Sequence, residues 1–274
     1  MELMERLISP EKCVEIYPKN QENETRKRLL IRYQISNNIR RQNSNNRLGI
    51  LWLIINPMVT SLIYVFVFTV MSANVNAMSI IIGIGIFRVF GLSVRSGIAS
   101  IKDYRGGILA ERISTNVLTF GMIGSSIVNS LLQTLGVGLV LIFIFKTGLL
   151  SAIVLMLCAT LCGIMIEGLM LNMAKMIRNL PDLNNLIQHS LQLMFYLSPV
   201  LYNFERTSGI HRQINTFNPL TYFIEPVRAF ANNDNLDFIE NHYKAVVIMV
   251  ILVIFSLRGY MSLDKVRWEL SSWS

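Results

Sequence analysis

The chain has 274 residues, room for one or two soluble domains, yet 52% of them are hydrophobic and only 15% are charged, against about 25% charged in soluble domains. That balance argues against a soluble globular enzyme and for a polytopic, all-α integral membrane protein. The formal net charge of +8 would suggest a nucleic-acid partner only if the basic residues shared one soluble face. They cluster instead at the ends of apolar runs, so no nucleic acid is expected.

Residues 1–48 read as a cytoplasmic N-terminal segment with no cleavable signal, since no apolar stretch precedes Leu48. Within it, Glu24 to Gln42 places Ile31, Ile35 and Ile39 on one stripe among basic residues. This predicts an interfacial amphipathic helix, although a simple positive-inside anchor explains the basic residues equally well. Cys13, Cys158 and Cys162 have no disulfide spacing and are expected to be unpaired.

No charged residue occurs from Leu48 to Phe87. A helix rising 1.5 Å per residue needs about 20 residues to cross roughly 30 Å of hydrocarbon. The run therefore holds a first span at about 49–71 and most of a second at about 77–100, with the turn-like Ser72 to Asn76 between them. Asn56-Pro57 interrupts the first span, and Trp52, Asn56, Thr60 and Tyr64 recur every four residues along it. Such a stripe suits sugar rings, and core packing accounts for it nearly as well.

The segment Lys102 to Arg112, KDYRGGILAER, is too polar to remain in lipid. Charge-free runs then place spans at about 116–145, 149–174 and 183–204, with Lys146-Thr147-Gly148 as a tight turn. A segment around 215–232, carrying Asn218-Pro219 and Glu225-Pro226, has half-membrane apolar length. A last span at about 243–263 uses Lys244 and Arg258 as snorkelling ends, and 264–274 form a tail. With the N-terminus inside, eighteen Lys or Arg lie on cytoplasmic segments and five outside. Both termini are thus expected in the cytoplasm of a multi-pass membrane protein.

Catalytic constellations are absent. No phosphate-loop G-x-x-x-x-G-K-[ST] occurs, and His189, His211 and His242 show no metal-site spacing, so no metal and no directly bound cofactor are expected. What remains is polar material inside the spans, which usually faces a partner or an aqueous cavity. Arg88 lies near mid-membrane, and Arg95 is placed at the depth of Glu167, suggesting an intramembrane ion pair. Ser126, Asn129, Gln133 and Gly136 in span three, and Asn185, Gln188, His189, Gln192 and Tyr196 in span five, form polar faces. Such faces either glue helices together or line a conduit.

Three stretches in order carry a resemblance: LGILWLIINP followed by YVFVF, then SPVLY, then NPLTYFIEPVRAF. Together they look like the permease subunit of ABC-type polysaccharide exporters, over roughly residues 30–263. Gln42, Asn43 and Asn46 depart from the residues common before Leu-Gly, and Ala110 to Ser114 from the Pro-Arg-Glu element of many members. The O-antigen, capsule and teichoic acid branches all stay open.

The resemblance implies six transmembrane helices, a cytoplasmic interfacial helix, a cytoplasmic coupling helix and short re-entrant helices before the last span. It implies a homodimer in the lipid of the bacterial inner membrane, with two copies of an ATPase subunit holding ATP and magnesium, and a lipid-linked polysaccharide cargo such as capsule or O-antigen. Lys102, Asp103, Tyr104, Arg105, Glu111 and Arg112 would couple to the ATPase. Trp52, Asn56, Thr60, Tyr64, Phe68 and Phe87 would line a conduit, joined by Arg88, Phe90, Gln192, Tyr196 and Tyr222. Asn218, Pro219, Tyr222, Glu225, Pro226 and Arg228 would form the re-entrant segment. A small-molecule ABC exporter shares this topology, and a membrane glycosyl or acyl transferase is a more distant alternative.

Overall fold

A computed structural model describes residues 24–43, 48–70, 76–111, 115–179, 182–232 and 242–271. Among the described residues the chain is all-helical: α1 Glu24–Asn43, α2 Leu51–Val70, α3 Ala77–Glu111, α4 Thr115–Phe143, α5 Leu149–Asn179, α6 Asp182–Leu197, α7 Gly209–Phe217, α8 Thr221–Asn232 and α9 His242–Ser271. Five of these, α2, α3, α4, α5 and α9, are long and apolar enough to cross a membrane. The expected turn Ser72 to Asn76 lies almost wholly outside the described residues, as does Arg112.

Helix α5 is the hub, packed against α3, α4, α8 and α9. Without water to drive apolar burial, helices in lipid associate through close backbone approach at small residues. The glycines follow that rule. A Cβ on Gly97 of α3 would meet the Glu167 carbonyl and Met170 of α5, and one on Gly163 of α5 would meet Ser130 and Ser126 of α4. On another side of α5, Gly168 and Gly259 of α9 bring two backbones together, so a Cβ on either would collide with the facing helix. Asn172 Nδ2 donates to the Phe255 carbonyl at 2.8 Å and the Tyr260 hydroxyl to the Ile164 carbonyl at 3.0 Å, locking the same crossing.

Helix α1 rests on the start of α4 rather than standing alone. Leu30 and Ile31 pack with Val117 and Leu118, Ile35 fits over Gly124, and Asn38 Nδ2 donates to Ser125 Oγ at 3.1 Å. The apolar stripe of α1 therefore has a protein partner. The turn into α2 uses Gly49 at φ 51°, a left-handed conformation that favours glycine, which gives the Leu-Gly dipeptide a backbone reason.

Two segments differ from the sequence-based expectation. Helix α3 does not end near residue 100 but continues through Gly106-Gly107 to Glu111, 35 residues in all. At 1.5 Å per residue it is about 50 Å long, some 20 Å more than the hydrocarbon core. The residues expected to couple to an ATPase, Lys102 to Glu111, thus lie on the end of a long helix instead of a separate connector. In the second case, the expected span at 183–204 is a 16-residue helix, α6, that stops at Leu197. Irregular chain through Pro199 then leads to a short 3-10 turn, Phe204–Arg206.

That irregular chain is held by buried polar groups, as backbone removed from water requires. Asn218 Nδ2 donates to Ser198 Oγ at 2.6 Å, and the Tyr202 hydroxyl to the Leu197 carbonyl at 2.5 Å. Arg228 of α8 is 2% exposed. Its guanidinium reaches the carbonyls of Ser79 (2.9 Å), Val200 (3.0 Å) and Tyr202 (2.9 Å) and the Glu225 carboxylate (2.6 Å). The stretches SPVLY and NPLTYFIEPVRAF, distant in sequence, are two halves of one latch.

Candidate functional site

A cavity of about 620 Å³ lies between α2, α3, α4 and α6. From α2 it takes Trp52, Asn56, Thr60 and Tyr64, the stripe spaced by four. Pro57 lies in the same helix, and the Thr60 and Ser61 hydroxyls donate back to the Asn56 (2.8 Å) and Pro57 (2.7 Å) carbonyls. Helix α3 supplies Phe87, Arg88 and Arg95, α4 supplies Gln133, and α6 supplies Gln188, Gln192, Phe195 and Tyr196.

Aromatic rings form a connected cluster on one side. Phe195 sits 5.3 Å from Tyr64, 5.0 Å from Phe87 and 5.3 Å from Tyr196, centroid to centroid, within the range of favourable ring contact. The sequence pattern does not single out Phe195. Its neighbour Tyr196 and the shared face of α6 were the available signals, but only the placement of α6 against α2 and α3 reveals the cluster.

Of the eleven conduit candidates, Trp52, Asn56, Thr60, Tyr64, Phe87, Arg88, Gln192 and Tyr196 line this cavity. Phe90 is buried in the core and stacks near Phe87 at 5.7 Å. Phe68 packs against the same core. Tyr222 lines a separate, almost entirely apolar groove of about 440 Å³ between α8 and α9, and its hydroxyl donates to the Thr216 carbonyl.

The polar faces divide between the two roles open to them. Ser126 and Asn129 of α4 are buried within the bundle, Ser126 against Gly163, whereas Gln133 reaches the cavity. Helix α6 leaves Asn185, Gln188, His189 and Gln192 exposed. Of these, Gln188 and Gln192 line the cavity.

The suggested Arg95–Glu167 ion pair does not form. Arg95 and Ser96 are successive residues, about 100° apart around α3, so only one can face α5. Ser96 does so and donates from Oγ to Glu167 Oε1 at 2.7 Å, with Glu167 2% exposed. Arg95 folds back along its own helix, its Nε donating to the Gly91 carbonyl at 3.1 Å. Because a glutamine oxygen accepts equally well from Ser96, Glu167→Gln is expected to keep assembly and transport within about twofold of the parent, in line with a neutral substitution. Co-purification with the ATPase and an export assay would check this.

Among curated proteins, none matches the chain. Residues 30–231, from within α1 to near the end of α8, match the family model described as ABC-2 type transporter. With that match over most of its length and five membrane-crossing helices, the chain belongs to the ABC-2 type transporter family, as a multi-pass membrane component.

Proposed function

We propose that the chain is the permease of an ATP-driven exporter that moves a polysaccharide across the cytoplasmic membrane. The observation that carries this reading is the cavity between α2, α3 and α6, where aromatic rings and side-chain amides share one wall. Sugar rings present apolar faces and hydroxyl edges, and this wall offers stacking surfaces beside amide donors and acceptors.

The exposed amides of α6 favour a homodimer. Asn185, Gln188 and Gln192 are uncovered in one protomer, and polar groups at membrane depth face protein or water rather than lipid. A second copy across α2 and α6 would close the cavity into a conduit and remove that exposure. The polar end of α3, Lys102 to Glu111, is the proposed contact for the ATPase. ATP binding and hydrolysis there would shift a two-state arrangement of helices, and the permease itself does no covalent chemistry.

A second reading, export of a small molecule, is favoured by the cavity's size, which falls within the 300–1,000 Å³ typical of small-ligand pockets. One experiment separates them. A strain lacking this gene is expected to accumulate glycan on the cytoplasmic side, and no accumulation would sink the polysaccharide reading. In the complemented strain, Tyr64→Ala is expected to slow export roughly 2- to 10-fold, the scale of a ring contact worth about 0.5–1.5 kcal/mol. The variant should still co-purify with the ATPase.

A further inference from the structure

Two guanidinium groups share the cavity, and among the described residues no acidic side chain lines it. Arg88 and Arg95 are seven residues apart on nearly one face of α3, about 10 Å along the axis. The hydrogen bonds they make are to neutral oxygens. Arg88 Nη1 donates to Thr60 Oγ1 at 2.5 Å, and that hydroxyl is itself tied to the Asn56 carbonyl, while Arg95 holds the Gly91 carbonyl. Among the described residues the ion pairs are Lys27–Glu24 and Arg228–Glu225, so neither cavity arginine is neutralised. Glu167, the acid nearest in sequence-depth to Arg95, is engaged by Ser96 and sealed in the α3–α5 contact.

An arginine in a membrane span costs about 2.5–3.5 kcal/mol on insertion scales, and such groups pair or mark a ligand path. Here Arg88 ties α3 to α2 through the neutral Thr60 hydroxyl and Arg95 bonds only within its own helix, so neither contact supplies a counter-charge. Arg228 provides the contrast, since its guanidinium has a carboxylate and three carbonyls around it. Guanidinium groups bind phosphate and carboxylate through paired N–H donors. Gln133, Gln188 and Gln192 stand in the same cavity as further donors.

We infer that Arg88 and Arg95 form an anion-binding site in the cavity, taking a phosphate or carboxylate group carried by the cargo while the aromatic wall holds its uncharged part. The site rests on reading this cavity as the cargo path, but not on the cargo being a polysaccharide. Two sources could bring the anion: a lipid pyrophosphate entering from the bilayer, or an acidic sugar within the glycan. Both use the same guanidinium chemistry.

The test uses the full chain in phosphatidylcholine nanodiscs, with Trp268→Phe and Trp273→Phe so that Trp52, which lines the cavity, is the sole tryptophan reporter. The probes are inorganic pyrophosphate, farnesyl pyrophosphate, a glucuronate oligosaccharide and a neutral malto-oligosaccharide. Saturable quenching by inorganic pyrophosphate is expected, weakened about tenfold or more by Arg88→Gln and partly restored by Arg88→Lys, because a charged hydrogen bond is lost and the charge then returned. Arg95→Gln is expected to act in the same direction. Tighter binding of farnesyl pyrophosphate than of the glucuronate chain assigns the anion to a lipid carrier, and the reverse order assigns it to the glycan. Equal binding of the neutral and anionic probes, or unchanged pyrophosphate binding in Arg88→Gln chains that elute as the parent does on size exclusion, would overturn the site. A deletion strain without glycan accumulation would overturn the cargo assignment and leave the anion site standing.

Discussion

Arg228→Met is expected to destabilise the protein by about 3–5 kcal/mol, the usual cost of removing one partner from a buried charge pair. The substitution leaves the Glu225 carboxylate buried beside apolar neighbours and strips donors from the carbonyls of Ser79, Val200 and Tyr202. Those carbonyls belong to the start of α3 and the irregular chain after α6, so the loss spreads beyond α8. Heating the detergent-solubilised chain and measuring the monodisperse fraction by size exclusion would read the effect. Glu225→Gln is expected to be milder, since Arg228 keeps its three carbonyl acceptors. The double variant should lose less than the sum of the singles, as for any two groups in direct contact. If Arg228→Met survives heating as well as the parent, the latch contributes nothing to stability.

Gly259→Ala is the second substitution with a large expected effect. An added methyl would run into the Gly168 carbonyl, which belongs to a helix backbone that cannot step aside as a side-chain tip can. Helices α5 and α9 must then separate, and overpacking of this kind costs about 1–3 kcal/mol or more. The separation also strains the Asn172 bond to the Phe255 carbonyl and the Tyr260 bond to the Ile164 carbonyl. Gly148→Ala is the matched control. Nothing lies within 4 Å of its added carbon, so it should shift the melting behaviour by no more than about 0.5 kcal/mol. Equal losses in the two variants would remove the α5–α9 contact as the cause.

The membrane helices were readable wherever a physical length governs them. Charge-free runs such as Ile113 to Phe145 must cover the hydrocarbon, and α4 occupies Thr115–Phe143. The end of α3 was not readable in this way. Charges and Gly106-Gly107 mark where lipid stops, but they do not decide whether the helix stops with it, and α3 continues in helical form to Glu111. The same limit applies after α6, where Pro199 announces a break but not its geometry.

The cavity was partly visible as well. Trp52, Asn56, Thr60 and Tyr64 share a face because the helical period places them there. Which α6 ring meets Tyr64 depends on how α6 is docked, and that is set by long-range contacts. The sequence pattern is therefore silent on Phe195, while Phe90, three residues from Phe87, turns into the core. The latch was hidden for a different reason. Arg228 bonds chiefly to backbone carbonyls, which every residue carries, so no side-chain pattern at Ser79, Val200 or Tyr202 signals it.

Helix α3 behaves as a beam on two supports. Gly83 and Gly85 press it against Val200 and Val137 at one end of the bundle, and Gly97 presses it against Glu167 and Met170 near the other. Beyond Gly97, the last such contact among the described residues, the helix extends about 20 Å further, at 1.5 Å per residue, to Glu111. A load on an overhang does not slide the whole beam. It bows the length between the supports in the opposite sense, and that length carries Phe87, Arg88 and Arg95. Any force applied at Glu111 would therefore be felt at the cavity wall as curvature of one continuous helix.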